Sequence, residues 1–199
     1  MEIIIHLIRH GSTSAIEANQ YCGKTDIDIS PKGHRGLLAY KDEGLYPHAD
    51  YFFTSRLTRT KTSLGVIFGD VSSKEIKEFD EQDLGALELK PYKEVKANPL
   101  YFTWINDKTG DVKCPGGGES LNDFKLRVKL GIYKLIEEIK SIRSDKSSVK
   151  VAVITHGSVI AIIMNSIFHY KNAYKGWQPK PARGYVIYYN DTFTNYTYI

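Results

Sequence analysis

Cysteine is nearly absent from this chain: Cys22 and Cys114 are its only two in 199 residues. They lack metal-ligand spacing, and two are too few for a disulfide scaffold, so both are expected as reduced thiols of a cytoplasmic protein. No apolar stretch approaches the roughly 20 residues that span a bilayer. No basic start leads into a long apolar core, since the opening segment carries Glu2, His6, Arg9 and His10; this argues against a secretory leader and a membrane location. No dense run of lysine or arginine marks a nucleic-acid surface. The chain has 27 basic and 23 acidic side chains, a net charge of +4 that mildly suits an anionic ligand. No composition break, long linker or repeat divides it. With 42% apolar and 25% charged residues it reads as one folded domain over residues 1–199.

Apolar strand-like runs alternate with helical ones. Ile3–Ile8, Tyr51–Thr54, Lys74–Phe79 and Val149–Ile154 read as strands, and Tyr185–Tyr189 with Asn195–Ile199 as a closing hairpin. Ser30-Pro31 opens a helix that stops near Gly44, and another helix runs from about Leu57 to Phe68. Ser120 with Asp123 forms a variant capping box before a long helix. That helix puts Phe124, Val128, Ile132, Leu135, Ile136 and Ile139 on one face. A buried helix follows from Ser158 to Phe168. Residues 98–113 show no clear period and are expected as an excursion over the sheet. The pattern predicts an α/β fold, three layers α/β/α around a mostly parallel central sheet.

Two segments echo each other: Ile8-Arg9-His10-Gly11-Ser12 and Ile154-Thr155-His156-Gly157-Ser158. Each places a histidine at the end of a buried strand, and ligands of open α/β sheets bind at the carboxyl ends of strands. Ser55-Arg56-Leu57-Thr58-Arg59 and Glu81 also follow strands, so a parallel sheet would gather all four segments along one edge. Arginine forks match phosphate oxygens, a neutral imidazole can attack phosphorus, and a carboxylic acid can protonate a leaving oxygen. Other readings are weaker. Gly23-Lys24-Thr25 mimics a P-loop end, but Ala18 stands where that motif needs glycine. His6 and His10 would pair for zinc only on a helix. Pro115 to Gly118 reads as a turn feeding the Ser120 cap, not as a phosphate cradle. Tyr101, Phe102 and Trp104 could lid the site. His34, His48 and His169 carry no readable role.

In order along the chain, these motifs resemble the histidine phosphatase superfamily, the phosphoglycerate mutase-like family. Arg9-His10-Gly11 with Thr13 is similar to its RHG-x-T signature, and Gly23 through Gly33 to its G-x-x-D-x-x-L-[ST]-x-x-G stretch, with Ile29 for leucine. Ser55–Thr62, Glu81–Gly85, Pro115–Ser120 and His156-Gly157 match the later motifs. The resemblance implies a phosphohistidine intermediate on His10, a phosphate pocket of Arg9, Arg59 and His156, and Glu81 as proton donor. Thr13 and the Gly157 amide would add contacts. Neither metal nor organic cofactor is implied, and the only partner is a small-molecule phosphate ester. Ile16 stands where many members carry asparagine, and Gly85-Ala86-Leu87-Glu88-Leu89 where many read G-x-W-E-G. Glu88 is the rival for the acid role. The compact length and the Pro-Gly-Gly-Gly-Glu-Ser stretch look most like the α-ribazole-5′-phosphate phosphatases of cobalamin biosynthesis. The expected function is therefore a metal-independent phosphomonoesterase. The alternatives are a cofactor-dependent phosphoglycerate mutase and a non-catalytic phospho-ligand-binding module. Oligomeric state is not readable from the chain.

Overall fold

The computed structural model describes residues 2–142, 146–168 and 174–199; His169 lies outside them. Six strands form one sheet in the order β3-β2-β4-β1-β5-β6. They are β1 (Glu2–Arg9), β2 (Tyr51–Thr54), β3 (Lys74–Glu75), β4 (Ser148–Thr155), β5 (Gly184–Asn190) and β6 (Thr192–Tyr198). β1 pairs parallel with β4, β4 with β2 and β2 with β3, while β5 and β6 add an antiparallel hairpin at one edge. The alternation of side chains along the strands explains the layers. Ile3, Ile5 and Leu7 of β1, with Val149, Val151 and Val153 of β4, pack under helices α6 (Leu121–Lys140) and α7 (Gly157–Phe168). Ile8 and Ile154 face the other way, onto α2 (Pro31–Asp42) and α3 (Thr58–Phe68). Short helices α1 (Ser14–Glu17), α4 (Tyr92–Val95) and α5 (Pro99–Ile105) lie in the connections.

Several local readings of the sequence hold. Ser30 accepts from the Gly33 amide and caps α2, with Pro31 at the first helical position. Ser120 and Asp123 form a reciprocal capping box at the start of α6. Gly116 and Gly117, both at positive φ, make the turn that delivers Ser120. One expectation needs correcting. The strand predicted over Lys74–Phe79 is only two residues long, and Lys77–Phe79 form a 3₁₀ turn. The chain leaves the sheet edge because Phe79 plunges into the core and Arg127 of α6 takes the carbonyls of Glu78 and Asp80 at 3.0 and 2.9 Å. Those carbonyls are then not available to a strand ladder.

His6 sits on β1 between Ala152 of β4 and Val186 of β5, buried, with neither ring nitrogen hydrogen-bonded. Burial, aided by the charge on Lys150, pushes its pKa down from 6.5 to about 4. The folded state thus binds fewer protons than the unfolded one between these values. His6 therefore contributes no acid penalty at neutral pH and a growing one as pH falls from 6.5 through 4, reaching roughly 3 kcal/mol. His6→Val should remove that slope: urea midpoints of wild type and variant should diverge progressively in the variant's favour on acidification. Parallel curves would refute it.

Candidate active site

The carboxyl ends of β1, β2 and β4 deliver Arg9-His10, Ser55 and His156 to one place, and the 3₁₀ turn after β3 delivers Glu81. The rings of His10 and His156 stand edge to face with centroids 5.1 Å apart. Arg9, His10, Glu81 and Ser158, the last at the start of α7, line a cleft of about 480 Å³.

The ring of His10 is oriented by its own backbone. Its Nδ1 lies 2.6 Å from the Gly11 carbonyl. A carbonyl only accepts, so Nδ1 carries the proton and Nε2 keeps its lone pair. Burial, with Arg59 and Arg9 alongside, holds the imidazole well below its ordinary pKa of 6.5, so it stays neutral. The Gly11 amide donates to Ser63 Oγ, which itself donates to the Arg59 carbonyl, tying the strand end to α3. Ser63 escaped notice in the sequence because it sits in an ordinary helical stretch.

Arg59 is wholly buried beneath this floor. Its Nη1 and Nη2 donate to the carbonyls of Thr25 and Gly23, and its Nε to His156 Nδ1 at 3.3 Å. The far nitrogen of His156, Nε2, then bears a proton and donates to Ser55 Oγ at 2.8 Å. His156 is held neutral by burial and by the charge of Arg59. Three of the five guanidinium N–H groups of Arg59 are thus engaged, and Arg59, wholly buried, is not among the residues that line the cleft. Arg9 donates through Nη1 to the Pro179 carbonyl, yet its Nε is buried with no hydrogen-bond partner among the described residues. Such a donor, beside a second guanidinium, has hydrogen-bonding capacity and positive charge that would suit an anion.

Glu81 is buried as well, and desolvation raises its pKa above the usual 4.5, against the pull of the Gln82 amide and of Arg59 and Arg9. Its Oε1 accepts from the Gln82 amide at 2.9 Å. The loop that carries it is clamped from α6. Arg127 forks onto the Glu119 carboxylate with two bonds of 2.7 Å and also donates to the Glu81 carbonyl. Glu119 in turn accepts from the Asp83 amide. The sequence offered no sign of Arg127, a charge between apolar positions of a helix.

Glu88 has other work. Its carboxylate accepts from the amides of Gly23, Lys24 and Leu84 at 3.0, 2.9 and 3.1 Å, fixing the segment whose Gly23 and Thr25 carbonyls hold Arg59. Glu88→Ala should therefore cost about 1–3 kcal/mol of stability by leaving the amides of the buried Gly23 and Leu84 unpaired. The dependence of rate on leaving group should stay that of the wild type, as a series of aryl and alkyl phosphates would show.

Thr13 is fully buried, and its hydroxyl caps α1 by accepting from the Ile16 amide. Cys22 borders the cleft, and burial pushes its thiol up from 9.0, keeping it protonated. Gly157 begins α7, where the first helical amides lack intrahelical acceptors. A Cβ there would lie 2.8 Å from Gln178 Nε2 and 3.0 Å from Arg9 Cζ, so a larger residue would have to displace these side chains from the helix start. Gln178, which no motif picked out, lies in the cleft beside them. Of the three aromatics read as a lid, Trp104 lines the cleft, Tyr101 is buried against Leu87, Val95 and Cys114, and Phe102 is exposed.

Known proteins are similar to this chain in sequence and in fold. The chain is 27% identical to 2,3-bisphosphoglycerate-dependent phosphoglycerate mutase 2 of Gloeobacter violaceus, over 83% of this chain and 76% of that protein. Its fold is similar to the alpha-ribazole phosphatase of Shigella flexneri, with TM-score 0.77, 19% identity and coverage of 94% and 90% of the two chains. It is also similar to a phosphoglycerate mutase from Bacillus anthracis, with TM-score 0.75, 16% identity and coverage of 97% and 91%. The sequence model of the histidine phosphatase superfamily (branch 1) matches residues 5–194, nearly the whole chain, and the protein belongs to that family.

Proposed function

We propose that this protein is a phosphomonoesterase that hydrolyses a small-molecule phosphate ester through phosphohistidine on His10, without a metal ion in its chemistry. One observation carries the reading: a neutral imidazole whose Nδ1 is tied to Gly11 presents Nε2 beside two buried guanidinium groups and a carboxyl of raised pKa. The phosphoryl group sits in the cleft against Arg9 and the start of α7, with the positive charge of the buried Arg59 behind the His10 ring. His10 Nε2 attacks phosphorus in line, and the bond to the ester oxygen breaks as Glu81 gives that oxygen its proton. Glu81, now a carboxylate, takes a proton from water as the water oxygen attacks the phosphohistidine. Inorganic phosphate leaves, His10 is neutral again and Glu81 is reprotonated. His156 acts by holding Arg59 and packing on the His10 ring, and Thr13 by shaping the loop after His10.

α-Ribazole 5′-phosphate is the first natural substrate to try, given the alpha-ribazole phosphatases among the similar structures. The mutase reading draws on the curated relatives. The test is phosphate release in EDTA from α-ribazole 5′-phosphate, 3-phosphoglycerate, phosphoserine and sugar phosphates, beside a coupled mutase assay primed with 2,3-bisphosphoglycerate. Hydrolysis without isomerisation supports the proposal. Isomerisation outrunning hydrolysis overturns it, and absence of both returns the protein to a binding role.

A further inference from the structure

The cleft continues away from His10, and its chemistry changes there. Ile16, Tyr21, Leu84, Trp104 and Val112 form apolar and aromatic walls, with amide side chains such as Gln82 between them. Among the described lining residues, the charged groups are Arg9 and Glu81 at the phosphoryl seat and Asp107. No lysine or second arginine faces this space among them. A volume of about 480 Å³ lies in the range that encloses a drug-sized ligand, well beyond a phosphate ion.

These walls are preformed. The Asp107 carboxylate accepts from the Thr109 amide and hydroxyl and from the Val112 amide at 2.9, 2.7 and 2.9 Å. Asn122 of α6 binds the Thr109 carbonyl and Asp111. The Tyr21 and Tyr101 hydroxyls meet at 2.8 Å, joining the α5 side of the cleft to the loop after α1. A rigid aromatic slot loses little freedom on binding and favours a flat ring. A carboxylate or second phosphoryl group entering it would give up water, meet no cation and approach Asp107.

We propose that this end of the cleft is a leaving-group subsite for a bulky, ring-bearing alcohol without negative charge, that Trp104 and Tyr21 determine its specificity, and that it discriminates against phosphoglycerates. The inference rests on the phosphoryl seat proposed above, but it concerns binding and not turnover. It also sets this protein apart from the substrate named in its mutase relatives.

Two phosphonates of similar reach test it by calorimetry: 2-phenylethylphosphonate and 3-phosphonopropionate, with inorganic phosphate as reference. The phenyl compound should bind roughly tenfold or more tightly than the carboxylate compound. Trp104→Ala should lower the ratio of phenyl-analogue to phosphate affinity by about tenfold. Ile105→Lys, on a partly exposed cleft position, should instead tighten 3-phosphonopropionate by roughly fivefold, which keeps the idea testable if the tryptophan variant folds poorly. Equal or tighter binding of the carboxylate compound to the wild type overturns the subsite, as does failure of the phenyl compound to bind. Because these analogues report binding alone, a wild type that binds them as expected yet releases no phosphate would overturn the hydrolase reading and leave the subsite standing.

Discussion

His10→Ala should lower turnover of every phosphomonoester by about 10⁴-fold or more, the scale seen when a covalent nucleophile is removed. The loss should fall on kcat, because the cations that seat the phosphoryl group remain. Arg59 keeps its bonds to Gly23, Thr25 and His156, and Arg9 keeps its bond to Pro179. Inorganic phosphate should therefore still bind the variant. The wild type, quenched during turnover of a ³²P-labelled ester, should carry acid-labile, base-stable label, and the variant none. His10→Asn is the tighter control, since its amide can still donate to the Gly11 carbonyl but offers no nucleophilic nitrogen. A His10→Ala enzyme that retains turnover would sink covalent catalysis at this position. Equal labelling of wild type and variant would point to another nucleophile, and His156 is a poor one because both its ring nitrogens are engaged.

The strand ends were readable because β1 and β4 are mostly apolar runs buried on both faces, each followed by a histidine and a glycine. Their parallel pairing then brings Arg9 opposite Thr155 and His10 beside His156 without further information. The limits of the sequence have physical causes. β3 could not be bounded because the signal that ends it lies far along the chain, in Arg127. α5 lacks a periodic stripe because Leu100 and Phe102 are exposed, Trp104 and Ile105 border the cleft, and Tyr101 alone is buried. That segment nevertheless supplies Trp104, so the least readable stretch forms the wall that selects the leaving group. Glu81 and Glu88 look alike in a run of acidic residues. Only the backbone amides gathered on Glu88, and the burial of Glu81, separate them.

That separation makes Glu81→Gln the most discriminating substitution. Glutamine keeps the shape and can still accept from the Gln82 amide, but it has no proton of suitable acidity to give. Alkyl phosphates, whose leaving oxygen must be protonated, should slow in their first step by about 10³-fold. A nitrophenyl phosphate needs no such help and should transfer its phosphoryl group to His10 at near the wild-type rate. The second step then loses its base, so stopped flow should show a burst of nitrophenol followed by slow turnover as phosphohistidine accumulates. The pH profile supplies the sign. Burial raises the Glu81 pKa, so in the wild type the alkyl kcat/KM should hold above the ordinary carboxylate range of 4.5 and fall once pH passes the raised value. The imidazole of His10, held low, should lose activity only well below 6.5. Glu81→Gln should erase the fall on the basic side attributable to this group and leave the acid limb in place. Equal slowing of the first step for alkyl and nitrophenyl esters would mean that Glu81 does not protonate the leaving group, and the raised carboxyl would then serve only to position the Ser158 amide at the mouth of α7.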